Sequence, residues 1–235
     1  MVTIPAQFNG PDHSGNGGYV AGMLAREIGS AGPVTSTLRI PPPLDTALSW
    51  EHDGDGVRLL TPGGAVIGEA APGELARKVP AAPSASEADA GLAAYPGFVN
   101  HPFDHCFTCG TRRDAGQGLR LFTGPIAEGH VAASWSAHED FAGADGTIDL
   151  PVMWAALDCP GGWAADFTQH TMVLGRMTAE VLRRPRPGEP CVAVGVLSAR
   201  KGRKFLTDTA LYAADGELLG RAEQIWIEVD AAAFR

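Results

Sequence analysis

The segment Asn16-Gly17-Gly18 opens a stretch of small and apolar residues that runs to Ile28. Asn is a preferred helix N-cap, so a helix is predicted to begin here. The first N–H groups of a helix have no partner within the helix and attract negative charge, so they can stabilise an oxyanion. Glycine lets a substrate approach those groups closely. The segment has no carboxylate nine positions after Asn16, where Ala25 stands.

A second segment has the carboxylate and lacks the glycines. Asp149 is a suitable N-cap, and Pro151 fits the first turn of a helix, where no N–H is needed. Asp158 stands nine positions after Asp149, and a partly buried carboxylate can act as a general base or as a nucleophile. Pro160 predicts that this helix ends or kinks just after Asp158. The two segments complement each other, which indicates two fused, diverged copies of one unit that share a single site.

The expected order of elements repeats on either side of residues 80–97, which are rich in Pro, Ala and Ser. In each half a helix is followed by a strand, a proline break and further strands, which predicts an α+β fold. The predicted domains are residues 1–79 and 101–235, with residues 80–100 as a linker. Strands are expected at residues 37–40, 46–51, 57–60, 65–67, 177–182, 190–199, 205–212 and 218–229.

Composition narrows the class of protein. The 235 residues carry a formal net charge of −9 without a long basic run, which argues against binding to nucleic acid. No signal segment and no apolar run long enough to span a bilayer is evident, so no membrane association is expected. The four cysteines do not have the pattern of a secreted disulfide framework, so a cytoplasmic protein with reduced thiols is expected.

A second chemistry is open at Cys106 and Cys109, which form a Cys-x-x-Cys motif near His101 and His105. Thiolate and imidazole are the ligands of tetrahedral zinc sites. Such sites usually draw their second pair of ligands from a distant segment, and the other two cysteines stand alone in the sequence. The simpler interpretation, a tight turn with small buried thiols, is therefore preferred, and no metal or cofactor is expected.

Together these features resemble the hotdog-fold thioesterases, in particular the 4-hydroxybenzoyl-CoA and phenylacetyl-CoA type. Residues 101–229 carry most of the resemblance, and residues 2–72 resemble the family more weakly, through Asn16-Gly17-Gly18. The motifs in the second half are Cys106-Phe107-Thr108-Cys109-Gly110, Gly118-Leu119-Arg120-Leu121-Phe122, Gly146-Thr147, Leu157-Asp158, Gly202-Arg203 and Asp215-Gly216.

The resemblance implies a double hotdog, in which two long helices are each wrapped by an antiparallel sheet and one chain forms a pseudo-dimer. In that family a His-Gly-Gly at the helix start offers a glycine N–H to the thioester carbonyl, and the partner subunit contributes a carboxylate nine residues after its own His. Carried over, Asn16 stands at the His position, Gly17 and Gly18 are the glycines, and Asp158 is the carboxylate. The sequence departs from the family where Asn replaces His, Leu150-Pro151 replaces the second glycine pair and Ala25 replaces the first carboxylate, so the second site is expected to be inactive.

The implied activity is hydrolysis of an acyl-CoA or acyl-carrier-protein thioester at one composite site. The acyl tunnel is expected to be lined by Tyr19, Met23, Met153 and Trp154, although such a helix stripe is also typical of plain core. The resemblance places the basic turn of Arg200, Lys201, Arg203 and Lys204 near the CoA phosphates or a carrier protein, with a solvated hairpin as the alternative.

Two other functions remain open at this point. The same pocket could serve an enoyl-thioester hydratase, dehydratase or conjugate-addition enzyme, although that branch usually pairs Asp with His. A non-catalytic acyl-CoA-binding module would explain the missing His and the missing second site. In either case an exposed sheet edge in each half allows a homodimer.

Overall fold

The computed structural model describes residues 1–230 and residue 232, which contain one ten-stranded antiparallel sheet and three α-helices. The α+β class expected from the sequence is therefore confirmed. The helices are α1 (Gly17–Ile28), α2 (Ala85–Ala93) and α3 (Leu150–Ala164). The strands are β1 (Val34–Leu38), β2 (Ser49–Asp53), β3 (Gly56–Leu60), β4 (Val66–Pro72), β5 (Gly124–Ala127), β6 (His130–Trp135), β7 (Met172–Val181), β8 (Cys191–Lys201), β9 (Lys204–Ala213) and β10 (Leu218–Glu228).

The sheet runs in the order β2-β3-β4-β1-β7-β10-β9-β8-β6-β5. Its two parts, β1 to β4 and β5 to β10, meet where β1 pairs with β7, with Val34 opposite Ala179 and Thr37 opposite Arg176. Helix α1 packs on β1, β3, β4 and β7, whereas α3 packs on β6 to β10. The strand pair β1–β7 therefore fixes how α1 lies against α3.

Helices α1 and α3 pack against each other in opposite directions. Gly18, at the start of α1, faces Asp158 near the end of α3, while Gly22 faces Pro151 at its start. A Cβ on Gly22 would lie 2.6 Å from the Pro151 Cα, so only glycine allows this approach. At the far end of the pair, Arg26 forms an ion pair with Asp149 at 3.0 Å.

Helix α3 continues through Pro160 to Ala164, so of the two predicted outcomes, an end or a kink just after Asp158, the end is wrong. Proline removes one helical hydrogen bond and displaces the preceding turn. Buried side chains hold the neighbouring carbonyls, since Thr209 Oγ1 donates to the Leu157 carbonyl at 2.6 Å and Gln224 Nε2 donates to the carbonyls of Leu157 and Asp158 at 2.7 and 3.1 Å. Every residue of α3 from Pro151 onward is buried, so packing holds the helix across the proline.

Most predicted strands are present with shifted ends, but the hairpin of β5 and β6 has no predicted counterpart. Residues 80–97 include α2, which begins with a capping box between Ser84 and Glu87 and packs on β5 and β6. The domain limits 1–79 and 101–235 remain a prediction, and Ala231 and residues 233–235 lie outside the described residues. Among the helices of the described part, none is both long and apolar enough to cross a membrane.

Candidate functional site

The start of α1 is built by Asn16. Its Oδ1 accepts a hydrogen bond from the Tyr19 N–H at 2.9 Å, which is the N-cap geometry. Its Nδ2 points the other way and contacts Cys106 Sγ at 3.6 Å. Asn16 is only 2% exposed, so its amide is a fixed part of the interior.

The structure brings Asp158 to the start of α1. The Gly18 N–H donates to Asp158 Oδ2 at 2.9 Å, although 140 positions separate the two residues. This contact requires glycine, because a Cβ on Gly18 would lie 2.3 Å from the Asp158 Cβ. The carboxylate from the second half and the glycine amides from the first half therefore share one site.

Asp158 is 1% exposed, and its second oxygen, Oδ1, has no hydrogen-bond partner among the described residues. Burial raises the pKa of this carboxyl to about 8, while the hydrogen bond from Gly18 opposes the rise. The neighbouring Cys106 adds to the rise, and the Asn16 amide opposes it. A buried carboxyl with a perturbed pKa on a cavity is typical of functional sites.

The two glycines are not equivalent. The carboxylate of Asp158 already occupies the Gly18 N–H, whereas the Gly17 N–H has no acceptor among the described residues. Gly17 also lies on the cavity, where a Cβ would meet the side chain of Leu174 at 2.7 Å. In the described part of the chain, the N–H that remains free at the start of α1 is therefore that of Gly17.

A cavity of about 260 Å³ adjoins this site. Its walls are mostly apolar and come from the loop before α1, the segment after β1, the loop that carries Cys106 and Cys109, the second half of α3 with the loop after it, the start of β7 and the end of β10. The residues that line the cavity include Asn16, Gly17, Phe103, Cys106, Cys109, Asp158, Cys159, Phe167, Leu174, Trp226, Ile227 and Val229.

The expected acyl-binding residues are not on this cavity. Met23, Met153 and Trp154 are at most 2% exposed and belong to the core, and the Tyr19 ring stacks on Phe8 with centroids 3.9 Å apart. The cavity lies beyond the start of α1, so the apolar face of that helix packs inward instead. The strand ends that replace these residues, such as Leu174 and Ile227, have no sequence signal that separates them from other strand residues.

None of the four basic residues of the turn between β8 and β9 lines the cavity, but the turn adjoins the cavity wall through strand pairing. Lys204 pairs with Ile227 of β10, which lines the cavity. Arg200 is bound by Glu228 at 3.2 Å and lies over the ring of Phe205. Lys201, Arg203 and Lys204 are exposed and form no ion pair within residues 1–230. Three of the four predicted cations are therefore available to a ligand.

The two histidines considered above as alternative zinc ligands do not face the cysteines. His101 Nδ1 accepts from the Phe103 N–H at 2.9 Å, so its Nε2 donates to the Cys109 carbonyl at 3.0 Å. His105 is half exposed and lies beside Asp12 and Asp104. The third group near Cys106 and Cys109 is instead the thiol of Cys159, the residue after Asp158.

The three thiols differ in acidity. Hydrogen bonds from Cys109 and Cys159 hold the pKa of the Cys106 thiol well below its usual value. Burial raises the pKa of the Cys109 and Cys159 thiols well above the usual value. Sequence reasoning missed Cys159 because the pairing of α3 with the Cys106 loop is a tertiary contact.

The fold is similar to that of two solved structures described as thioesterase proteins, so the resemblance seen in the sequence is confirmed at the level of fold. A putative thioesterase from Novosphingobium aromaticivorans DSM 12444 matches 97% of this chain and 94% of its own, with a TM-score of 0.62 and 14% identity. A tesB protein from Mycobacterium avium subs paratuberculosis matches 94% of this chain and 89% of its own, with a TM-score of 0.58 and 14% identity. No protein-family model matches the chain, and neither does any curated protein.

Proposed function

We propose that this protein hydrolyses acyl thioesters of CoA or of an acyl carrier protein at one composite site between α1 and α3. The observation that carries the proposal is the contact of Asp158 with the first turn of α1, on the wall of an apolar cavity. In this proposal Asp158 from the second half supplies the carboxylate that activates water. Gly17 and Gly18 from the first half supply backbone N–H groups, and Asn16 orients the start of α1.

The geometry supports the following chemistry. The thioester carbonyl accepts the free Gly17 N–H, where the helix dipole favours the negative charge that develops on the oxygen. Asp158, held in place by the Gly18 N–H, takes a proton from a water that attacks the carbonyl carbon. The carbon–sulfur bond then breaks, and the thiol leaves with a proton as the acid is formed.

The remaining surroundings suit the two ends of such a substrate. The acyl group would occupy the apolar cavity beside Leu174, Phe167 and Trp226. The phosphates of CoA, or the acidic surface of a carrier protein, would meet Lys201, Arg203 and Lys204 of the adjoining turn. We therefore expect Lys201→Glu to raise KM for a CoA thioester and to leave kcat nearly unchanged. An unaltered KM would show that the basic turn does not bind the substrate.

We further propose that the chain is a double hotdog, with domains 1–79 and 101–235 as the two units and only one working site. The packing of α1 against α3 in opposite directions supports this arrangement, because it places each helix start near the other helix's end. At the other end of the helix pair, where a second site would lie, Ala25 has no carboxylate and Asp149 forms an ion pair with Arg26.

A cytoplasmic location and a homodimer through the sheet edges remain predictions. All four cysteines are free thiols, which suits a reducing compartment. The sheet edges are β2, with exposed Glu51 and Asp53, and the four-residue β5, which contains Pro125. Charges and proline at an edge oppose strand pairing, so light scattering of the purified protein is the direct test.

The test is a panel of saturated and enoyl CoA thioesters, with free thiol and product mass measured together. Thiol release should fall about 100- to 10,000-fold in Asp158→Asn, because the amide keeps the shape of the side chain and cannot act as a base. Asp55→Asn, in the exposed turn after β2, is the matched control and should behave as the parent.

Two results would contradict hydrolysis. Hydrated enoyl product without thiol release would assign the site to a hydratase, although no histidine is among the described residues that line the cavity. Tight binding of acyl-CoA without any turnover would make the protein a binding module.

A further inference from the structure

Three buried thiols meet on one wall of the cavity. Cys106 and Cys109 come from the loop before Gly110, and Cys159 comes from α3. Their three Sγ atoms all lie within 4.8 Å of one another, and the Sγ atoms of Cys106 and Cys159 are 3.8 Å apart. Two thiolates bound to zinc at about 2.3 Å in tetrahedral geometry have sulfurs about 3.8 Å apart. The pair therefore already has the spacing of two ligands on one ion.

The loop that carries Cys106 and Cys109 is held rigidly in this arrangement. The Gly110 N–H donates to the Cys106 carbonyl at 2.9 Å, and a Cβ on Gly110 would lie 2.5 Å from that oxygen. The carbonyl of Cys109 accepts from Tyr95 Oη at 2.8 Å and from His101 Nε2 at 3.0 Å. Both thiols are thus fixed on the side of the loop that faces α3.

The sulfurs are surrounded by N–H donors. Asn16 Nδ2 lies 3.6 Å from Cys106 Sγ. Trp163 Nε1 is buried without a hydrogen-bond partner among the described residues and lies beside Cys109. N–H donors around sulfur are the outer contacts that support metal-bound thiolates. A buried N–H without an acceptor, such as that of Trp163, lowers the stability of the folded protein, and a thiolate at this position would serve as its acceptor.

We propose that Cys106, Cys109 and Cys159 bind one zinc ion, with the fourth position open to the cavity. Soft thiolate ligands select zinc over magnesium or calcium, and three protein ligands with one open position leave room for water or a substrate thiolate. The proposal does not depend on hydrolysis by Asp158, because it rests on the spacing of the sulfurs and on the N–H groups beside them. It also supplies the distant ligand that the Cys-x-x-Cys motif lacked in the sequence.

The test is a titration of the reduced, metal-free protein with Zn²⁺ and, separately, with Co²⁺. We expect one ion per chain in a chelator competition, thiolate-to-cobalt charge-transfer absorption, and a higher melting temperature with Zn²⁺. Cys159→Ser should weaken the affinity at least tenfold, and Cys191→Ser, which alters the buried thiol outside the cluster, should bind as the parent does.

Three results would overturn the proposal: well under one ion per folded chain, unchanged affinity in Cys159→Ser, or a cobalt spectrum without thiolate bands. A stable Cys106–Cys159 disulfide in protein isolated under reducing conditions would do the same. If Cys159→Ser does not fold by circular dichroism, Cys109→Ser and the cobalt spectrum of the parent protein still decide the question. None of these measurements uses enzymatic activity, so their failure is distinct from a failure of the proposed hydrolysis.

Discussion

Replacing Gly18 by alanine should disturb both the packing of the two central helices and the candidate site. The added Cβ would lie 2.3 Å from the Asp158 Cβ and 2.8 Å from the Trp154 carbonyl oxygen. Neither contact can be relieved by rotating a side chain, because the Trp154 oxygen belongs to the backbone and the Asp158 Cβ is bonded directly to it. Helix α1 must move away from α3, or Asp158 must leave the Gly18 N–H.

The cost can be worked from these contacts. Overpacking of this kind costs about 1–3 kcal/mol, and the gain from removing a helical glycine is at most about 1 kcal/mol. Because the contacts are this short, we take about 3 kcal/mol for overpacking and subtract about 1 kcal/mol for the glycine, so the free energy of unfolding falls by about 2 kcal/mol. For a chain of this size that corresponds to a melting temperature lower by about 4–8 °C.

Calorimetry and a thiol-release assay on Gly18→Ala test this reasoning together, and activity should fall along with stability. Gly63→Ala is the matched control, because its Cβ would meet only Thr61 Oγ1 at 3.9 Å and should change stability by less than about 0.5 kcal/mol. A Gly18→Ala protein as stable and as active as the parent would show that the helices do not pack as described.

Three further predictions concern the cavity and the core. Leu174→Trp should fill the cavity and raise KM more for longer acyl groups than for short ones, and equal effects on all chain lengths would place the acyl group elsewhere. Gln224→Leu should lower the free energy of unfolding by about 1–3 kcal/mol in urea denaturation, because it leaves the buried Trp226 Nε1 without its acceptor and removes a donor from the Asp158 carbonyl; an unchanged midpoint would contradict this. Burial raises the pKa of the Cys191 thiol to about 12, so almost no thiolate is present at pH 8. Mass mapping should therefore find alkylation of Cys191 only after denaturant is added, and rapid labelling of the folded protein would show that this thiol is not buried.

The sequence was sufficient for the features that depend on local signals and register. Asn16 caps α1 as its residue type indicates, and Asp158 reaches the glycines of the other half as the spacing of nine indicates. The period of two in β8 and β9 predicted the positions of these strands to within two residues.

Tertiary contacts account for the features that were missed. Proline usually ends or kinks a helix, but α3 continues through Pro160, where it is buried and where Thr209 and Gln224 bond the Leu157 carbonyl. Cys159 has no motif of its own and joins Cys106 only through the packing of α3. The hairpin of β5 and β6 is rich in small residues, so its hydrophobic alternation is weak.

The pairing of β1 with β7 places two helices of unlike sequence face to face within a single polypeptide. In an assembly of identical subunits, every substitution is introduced on both sides of the symmetry axis, so a loss on one side is a loss on the other. Here Ala25 and Leu150-Pro151 can each change without being copied to the opposite helix. The two ends of the helix pair are therefore free to evolve separately, and one end can be given over to stability while the other keeps its chemistry.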